Sequence, residues 1–215
     1  MTAADTALVV PIRSFADGKT RLASVLSAEA RAELLCRVAS GVVQASGGLA
    51  TAIVSSAPEV RGWAIRRGLA CIDDPGSLNS AADAGVAWAR SKGHDRVIIA
   101  HADLPIARTF QTVVDGFAGD DVVLVRGNRD RGTPVLAIST RGEFGFSYGP
   151  GSFDRHVGEA RRRRLPIRRV VDAGLATDLD TPDDLRRLLA SVSSREVGAG
   201  SPGMGERQPR DIQHV

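Results

Sequence analysis

Val97-Ile98-Ile99-Ala100-His101-Ala102-Asp103-Leu104-Pro105 is the stretch that decides the fold. An apolar, largely β-branched run, closed by a proline two residues past an acid, reads as a strand buried on both faces that ends on a carboxylate. Asp103 then stands at a carboxyl edge, where open α/β sheets bind ligands because the strands stop there and the loops leave a crevice. His101 reads as a structural residue of the strand end rather than a ligand. A lone acid is ambiguous, but a second cluster, Asp178-Leu179-Asp180-Thr181-Pro182-Asp183-Asp184-Leu185, follows about 75 residues later and reads as a loop opening a helix. Two such clusters suit Mg²⁺, which takes one or two protein carboxylates and otherwise substrate phosphate oxygens.

Towards the N-terminus, Ala7 to Ile12 reads as a first buried strand, followed by a loop with Arg13, Lys19 and Arg21. Gly18-Lys19-Thr20 invites a P-loop reading, which fails because Arg13 stands where the first glycine of that motif belongs. What survives is a glycine-containing loop whose Lys19 and Arg21 can hold phosphates, with a plain solvated basic loop as the alternative. Ser27 predicts an N-cap for a helix to about Ser46, Ala50 to Ser55 a strand, Pro58 to Arg67 a helix, and Leu69 to Asp73 a strand. This alternation predicts a parallel sheet with right-handed crossovers. After the turn Asp74-Pro75-Gly76-Ser77, a helix of small residues begins near Leu78, with Asn79 placed either to cap it or to face a ligand. Trp63 and Trp88 read as core-covering.

Towards the C-terminus the pattern predicts a helix over Ala107 to Phe117 and two strands, Val122 to Val125 and Pro134 to Ile138, joined by a polar turn as an antiparallel pair. Phe146 to Asp154 holds Gly149-Pro150-Gly151, with Ser152 placed to cap the next helix; a helix start behind such a loop suits an anion. Arg161 to Arg169 reads as a basic helix end leading into a short strand, Ile167 to Val171. A last helix is expected from Pro182 to Ser191.

At 215 residues and 43% hydrophobic, the chain can bury one full core, and with 4% aromatics that core must be aliphatic. The expected organisation is a single domain over residues 1–193 and a disordered tail over 194–215, rich in Gly, Pro, Ser and charge. A net charge of +3 suits phosphorylated small molecules at least as well as nucleic acid, since base-stacking sites use aromatic platforms and Tyr148 and the tryptophans are not clustered that way. Cys36 and Cys71 are too far apart for a metal or redox motif, no apolar run reaches membrane length, and no signal peptide is visible. A soluble cytoplasmic protein without membrane or nucleic-acid partners is the expectation.

Strand-RSFADGKTRL, DDPGSLNSA, strand-HADLP, RGTPVLAI, YGPGSF and DLDTPDDL occur in this order over residues 7–190. In this ordered set the chain resembles the CofC/FbiD family of guanylyltransferases. The resemblance implies a three-layer α/β/α, glycosyltransferase-A-like fold with a mostly parallel mixed sheet. It also implies transfer of GMP from GTP to the phosphate of a three-carbon phospho-acid, with release of diphosphate, on the route to coenzyme F-420. Phosphoenolpyruvate is the acceptor implied for bacterial members of this kind, with 2-phospho-L-lactate and 3-phospho-D-glycerate as alternatives, and a downstream transferase that uses the labile product is an implied partner. Carried over by position, Thr133, Gly149 and Ser152 match the seat of the acceptor carboxylate, and Asp103, Asp178 and Asp180 match acids that hold Mg²⁺. Lys19 and Arg21 match the catalytic basic loop at the phosphates, with Asp103 beside them, while Arg13, Lys19 and Asn79 match the nucleotide side. One departure is Pro134 after Gly132-Thr133, where relatives more often carry Asn; it removes a backbone donor.

The chemistry agrees. The nucleophile, a substrate phosphate oxygen, is already ionised, so no Ser-His or Cys-His pair is required; the task is to bring two polyanions together and stabilise the leaving diphosphate. Rival readings are a nucleotidyltransferase for a molybdopterin or sugar phosphate, and a non-catalytic nucleotide- or RNA-binding module led by the Arg161 run.

Overall fold

The computed structural model describes residues 5–198 apart from Asp130. The chain runs β1 (Thr6–Pro11), α1 (Ala28–Gln44), β2 (Ala50–Val54), α2 (Pro58–Ile65), β3 (Ala70–Ile72), α3 (Leu78–Ser91), β4 (Arg96–Ala100), α4 (Gln111–Asp115), β5 (Val122–Val125) and β6 (Val135–Ser139). It continues through α5 (Ser152–Arg162), β7 (Ile167–Val170), α6 (Ala173–Ala176) and α7 (Pro182–Gly198), and a single 3-10 turn at Thr20–Leu22 follows β1.

The strands form one seven-stranded sheet in the order β3-β2-β1-β4-β6-β5-β7. The pairs β1–β2, β2–β3, β1–β4 and β5–β7 are parallel, and β6 runs antiparallel to both β4 and β5. Alternate residues of each strand feed opposite layers, as a pleat of period two requires. Leu8, Val10, Ile98 and Ala100 pack with α1, α2, α4 and α6, while Ala7, Val9, Val97 and Ile99 pack with α3 and α5. All five residues of β4 are buried, as the apolar run predicts. Burying such Val and Ile side chains contributes about 2 kcal/mol each. Helix α3 lies close because Gly85 permits it: a Cβ there would come 2.5 Å from Val9 Cγ1. Trp63 is buried in one layer and Trp88 packs against the other.

This order positions the site. From β1 the chain steps to β2 and β3, then returns to place β4 on the opposite side of β1. The crevice at the carboxyl ends of β1 and β4 is therefore the point where strand order reverses, and the loops carrying Lys19 and Asp103 leave from it.

Several boundaries differ from the sequence reading. Helix α4 covers only Gln111–Asp115, because Ala107 N–H turns back to Leu104 C=O and the Ile106 carbonyl packs against Gly174, where a Cβ would sit 2.8 Å from it. Helix α7 runs to Gly198, past the boundary expected after residue 193, and the remainder of the tail lies outside the described residues. Gly151, with φ 71°, caps α5, so Ser152 is its first helical residue and not its cap. The Arg161 run proves to be largely paired. Arg162 and Arg163 hold Glu159 at 2.7 and 2.5 Å, Arg168 holds Asp121 at 2.5 Å, and Arg169 lies over the Phe153 ring.

Candidate active site

The loop after β1 is fixed before any ligand arrives. Ser14 Oγ accepts from the N–H groups of Ala16 and Asp17 and donates to Glu59 at 2.8 Å. Gly18 is pressed against Leu35, where a Cβ would collide. Lys19 follows in the left-handed region (φ 52°, ψ 44°), a conformation that costs a non-glycine residue about 1 kcal/mol. The turn aims its side chain into the crevice, where the ammonium donates to both Asp103 and Asp180. Leu179 N–H bonds the Asp103 carbonyl at 3.0 Å, which holds the second acidic loop against the end of β4.

Charge is balanced there by proximity. Burial disfavours the charged form of Asp103, but Lys19 and, more weakly, His101 outweigh it and hold the carboxyl below its ordinary range. Burial likewise pulls on Lys19, and the two carboxylates overcome it and raise the ammonium. Asp178 is pushed up, first by burial and then by Asp180 and Asp103, with Lys19 opposing only weakly. Among the described residues no group of three or more His, Cys, Asp or Glu side chains is arranged to hold a metal ion, and Lys19 lies between two of the acids read as ligands. Asp103 Oδ1, however, is buried with no hydrogen-bond partner.

The second half of the site is built on β6 and α5. Thr133 is fully buried just before β6, with Oγ1 3.2 Å from Ser152 Oγ and 3.0 Å from His156 Nδ1. Ser147 N–H donates to His156 Nε2 at 3.0 Å, so the neutral ring carries its proton on Nδ1 and donates it to Thr133. Burial, then Arg155 and His101, push the His156 pKa down to about 4. Gly149, with φ 109°, occupies backbone space that L side chains rarely adopt. Arg155 ties this loop down, donating to the carbonyls of Ser147, Tyr148 and Pro150 at 3.1, 3.2 and 2.7 Å.

Of the residues read from sequence, the structure brings Lys19, Asp103 and Asp180 into direct contact, sets Asp178 beside them, and joins Thr133 to Ser152 near Gly149. Asn79 does not cap α3: Ser77 does, reciprocally with Ser80, and Asn79 Oδ1 instead accepts the Tyr148 N–H at 2.8 Å. Arg13 lines the crevice and donates to the Gly76 carbonyl at 3.1 Å. Arg21 is exposed on the 3-10 turn and makes no ion pair or hydrogen bond among the described residues, so it does not join the Lys19 cluster. Asp184 accepts from Asp180 N–H, Thr181 N–H and Thr181 Oγ1 and pairs with Arg129 at 2.6 Å, a capping role within the second acidic cluster.

Sequence reasoning missed His156 and Arg155. The available signal was spacing: His156 lies four residues after Ser152 and hence on the same helix face. The crevice over Lys19, Asp103, His101 and Arg13 has a volume of about 310 Å³. A larger cavity of about 450 Å³ lies on the far side of Asp178, but its Arg129 and Asp184 are already paired to each other.

The Lys19–Asp103–Asp180 cluster thus stands in a crevice at a strand-order reversal, the place where open α/β sheets bind ligands. A solved structure from Desulfovibrio desulfuricans G20, described as a nucleotide-diphospho-sugar transferase, superposes with a TM-score of 0.72 at 18% identity, covering 91% of this chain and 96% of its own. The likeness fixes the fold as that of the nucleotide-diphospho-sugar transferases. The model of the family described as "Guanylyl transferase CofC like" matches residues 6–196, and the chain belongs to that family. A phosphoenolpyruvate guanylyltransferase of Sphaerobacter thermophilus is 34% identical over 93% of this chain and 99% of its own. A 2-phospho-L-lactate guanylyltransferase of Methanothermobacter thermautotrophicus is 28% identical, over 86% and 84%. No described helix is long and apolar enough to cross a membrane.

Proposed function

We propose that this chain transfers GMP from GTP to the phosphate of phosphoenolpyruvate, releasing diphosphate and forming enolpyruvoyl-2-diphospho-5'-guanosine on the route to coenzyme F-420. An acceptor phosphate oxygen forms the new bond to the α-phosphorus, and the bond from that phosphorus to the β-phosphate bridging oxygen breaks. The observation that carries this reading is the Lys19–Asp103–Asp180 cluster at the strand-order reversal, linked through the His101 and Tyr148 rings to the Thr133–Ser152–His156 chain. Lys19 meets phosphate charge from one side, while Thr133, Ser152 and the backbone at Gly149 take the acceptor carboxylate, an anion that a helix start favours. Arg13 and Asn79 are proposed on the nucleotide side. The name of the Sphaerobacter relative supports phosphoenolpyruvate as acceptor.

We further propose that the reaction uses Mg²⁺, held by Asp103, Asp178 and Asp180. The donor chemistry suits such a cation, although Lys19 stands between Asp103 and Asp180 in this structure: all three are hard oxygen donors, Asp103 Oδ1 is buried without a partner, and Asp178 is crowded by like charges that a cation would relieve. When bound, the ion would neutralise phosphate charge. Cytoplasmic residence, and passage of the labile product to a downstream transferase, belong to the same reading.

The test is incubation of the full chain with GTP and, separately, phosphoenolpyruvate, 2-phospho-L-lactate or 3-phospho-D-glycerate, with Mg²⁺ or EDTA and mass detection of product. Product with phosphoenolpyruvate only in the presence of Mg²⁺ is expected. Preference for another acid would overturn the acceptor, and no guanylylated product with any of the three would overturn the reaction.

A further inference from the structure

We propose that His101 and Tyr148 contact the acceptor's phosphate directly, an inference that rests on the guanylyl-transfer reading above. Among the described residues, three buried polar atoms at the site lack any hydrogen-bond partner: His101 Nε2, Asp103 Oδ1 and Tyr148 Oη. Their residues adjoin. His101 Nδ1 lies 3.9 Å from Asp103 Oδ1, and the His101 and Tyr148 rings lie 5.8 Å apart.

An unsatisfied buried polar group costs about 1–3 kcal/mol, so neighbouring residues that each leave one call for an explanation. Packing does not supply it. Tyr148 stacks on Phe146 at 6.0 Å and 11°, and Phe146 meets Phe144 edge-on at 5.6 Å, so phenylalanine serves this cluster at its other positions. A phenylalanine at 148 would fill the same ring volume without stranding a hydroxyl. Nor is either residue adrift, because His101 N–H bonds the Pro134 carbonyl at 2.9 Å and Tyr148 N–H bonds Asn79 Oδ1 at 2.8 Å. Both rings are thus carried on anchored backbone.

Their place identifies the ligand. His101 stands two residues before Asp103, and Tyr148 adjoins Gly149 and packs edge-on against His156 at 4.9 Å. They bridge the acids to the carboxylate seat, the interval that the phosphate of a three-carbon phospho-acid must occupy. Burial keeps the Tyr148 phenol protonated, so it offers an O–H donor, and an imidazole ring offers an N–H. A phosphate dianion, with three terminal oxygens, is the acceptor such donors lack.

Tyr148→Phe tests this in the full chain. The melting temperature without ligand should stay level or rise, since an orphaned hydroxyl is removed. The KM for phosphoenolpyruvate should rise roughly 10-fold, as for a lost hydrogen bond to a charged group, with the KM for GTP unchanged. The thermal stabilisation given by phosphoenolpyruvate alone should shrink in parallel. His101→Gln should move the acceptor KM the same way. Wild-type acceptor KM and wild-type stabilisation in Tyr148→Phe, or a lowered melting temperature, would show that the hydroxyl serves the fold or an ordered water and would overturn the inference. An inactive wild type with every phospho-acid would instead overturn the reaction on which it rests.

Discussion

Lys19→Ala tests the clamp between the two acidic loops. The substitution leaves Asp103 and Asp180, whose side chains are 19% and 29% exposed, without their shared cation. Breaking a fully buried pair costs about 3–5 kcal/mol, and the open crevice screens this one, so a loss of about 2 kcal/mol is expected. For a domain of this size that lowers the melting temperature by about 4–8 °C. The pH dependence has a definite sign. In the wild type the depressed Asp103 contributes stability above its unfolded pKa and loses it as pH falls through the folded value. Without Lys19, burial acts on Asp103 with little opposition and raises it. The difference between the two proteins should therefore be widest near pH 7, should narrow towards pH 4 as the variant's carboxyl protonates, and should close only below the ordinary carboxylate range, where Asp103 protonates in the wild type too. Adding Asp103→Asn to Lys19→Ala should recover much of the stability, because the stranded charge is gone. It should not recover turnover. Lys19→Ala should slow guanylyl transfer about 10²-fold, as loss of one electrostatic donor to developing charge does. Urea unfolding at pH 7 and pH 4 and steady-state rates with varied GTP make the measurement. Unchanged stability at both pH values, or unchanged GTP kinetics, would refute the clamp.

Asp103→Asn should abolish turnover while circular dichroism stays native, and wild type in EDTA should be inactive; full activity in either case removes the proposed metal role. His156 titrates near 6.5 unfolded and at about 4 folded, so its contribution is complete above pH 6.5 and is lost as pH falls towards 4. That amounts to about 3 kcal/mol, read as the difference in acid sensitivity of urea midpoints between wild type and His156→Gln. Gly149→Val forces a β-branched residue to φ 109° and should raise the acceptor KM strongly with little effect on the KM for GTP; an effect on GTP alone would move the acceptor seat elsewhere.

What sequence could show divides along physical lines. The strand ending on Asp103 was legible because burial on both faces writes a continuous apolar run, and the pairing of β5 with β6 because a polar turn separates two such runs. The contact between Lys19 and Asp180 spans 161 residues, and no local pattern encodes which loops a sheet order will bring together. It is the resemblance that placed them in one site. Arg21 shows the converse: two residues from Lys19, it lies exposed on the 3-10 turn and takes no part in the cluster. Ser152 was misread as a cap because small polar side chains serve caps and tertiary contacts equally well, and Gly151 took that position; of the two readings left open for Asn79, the cap falls to Ser77 and Asn79 bonds Tyr148 N–H instead. His156 escaped because a buried neutral imidazole bonded at both nitrogens has no sequence mark beyond its spacing from Ser152.

The loop over residues 147–151 raises a last question, namely what holds a segment with two glycines still enough to seat the acceptor carboxylate proposed for it. Gly149 and Gly151 both lie at positive φ, and ordering each backbone residue costs about 1–2 kcal/mol, so the loop needs ties from outside itself. Arg155 supplies three, one to each of three carbonyls, from the first turn of α5. A planar guanidinium can span them, whereas a lysine offers a single point of contact. Arg155→Met should therefore leave the global melting temperature within about 2 °C, since exposed side chains contribute little to the core. It should raise the acceptor KM several-fold and leave the KM for GTP as it was. Limited proteolysis should cut faster between residues 147 and 151, and Arg155→Lys should not restore the wild-type rate of cutting. If Arg155→Met keeps the wild-type acceptor KM and the wild-type cleavage rate, the loop is held by α5 packing through Phe153 and Val157, and the guanidinium is incidental to the seat.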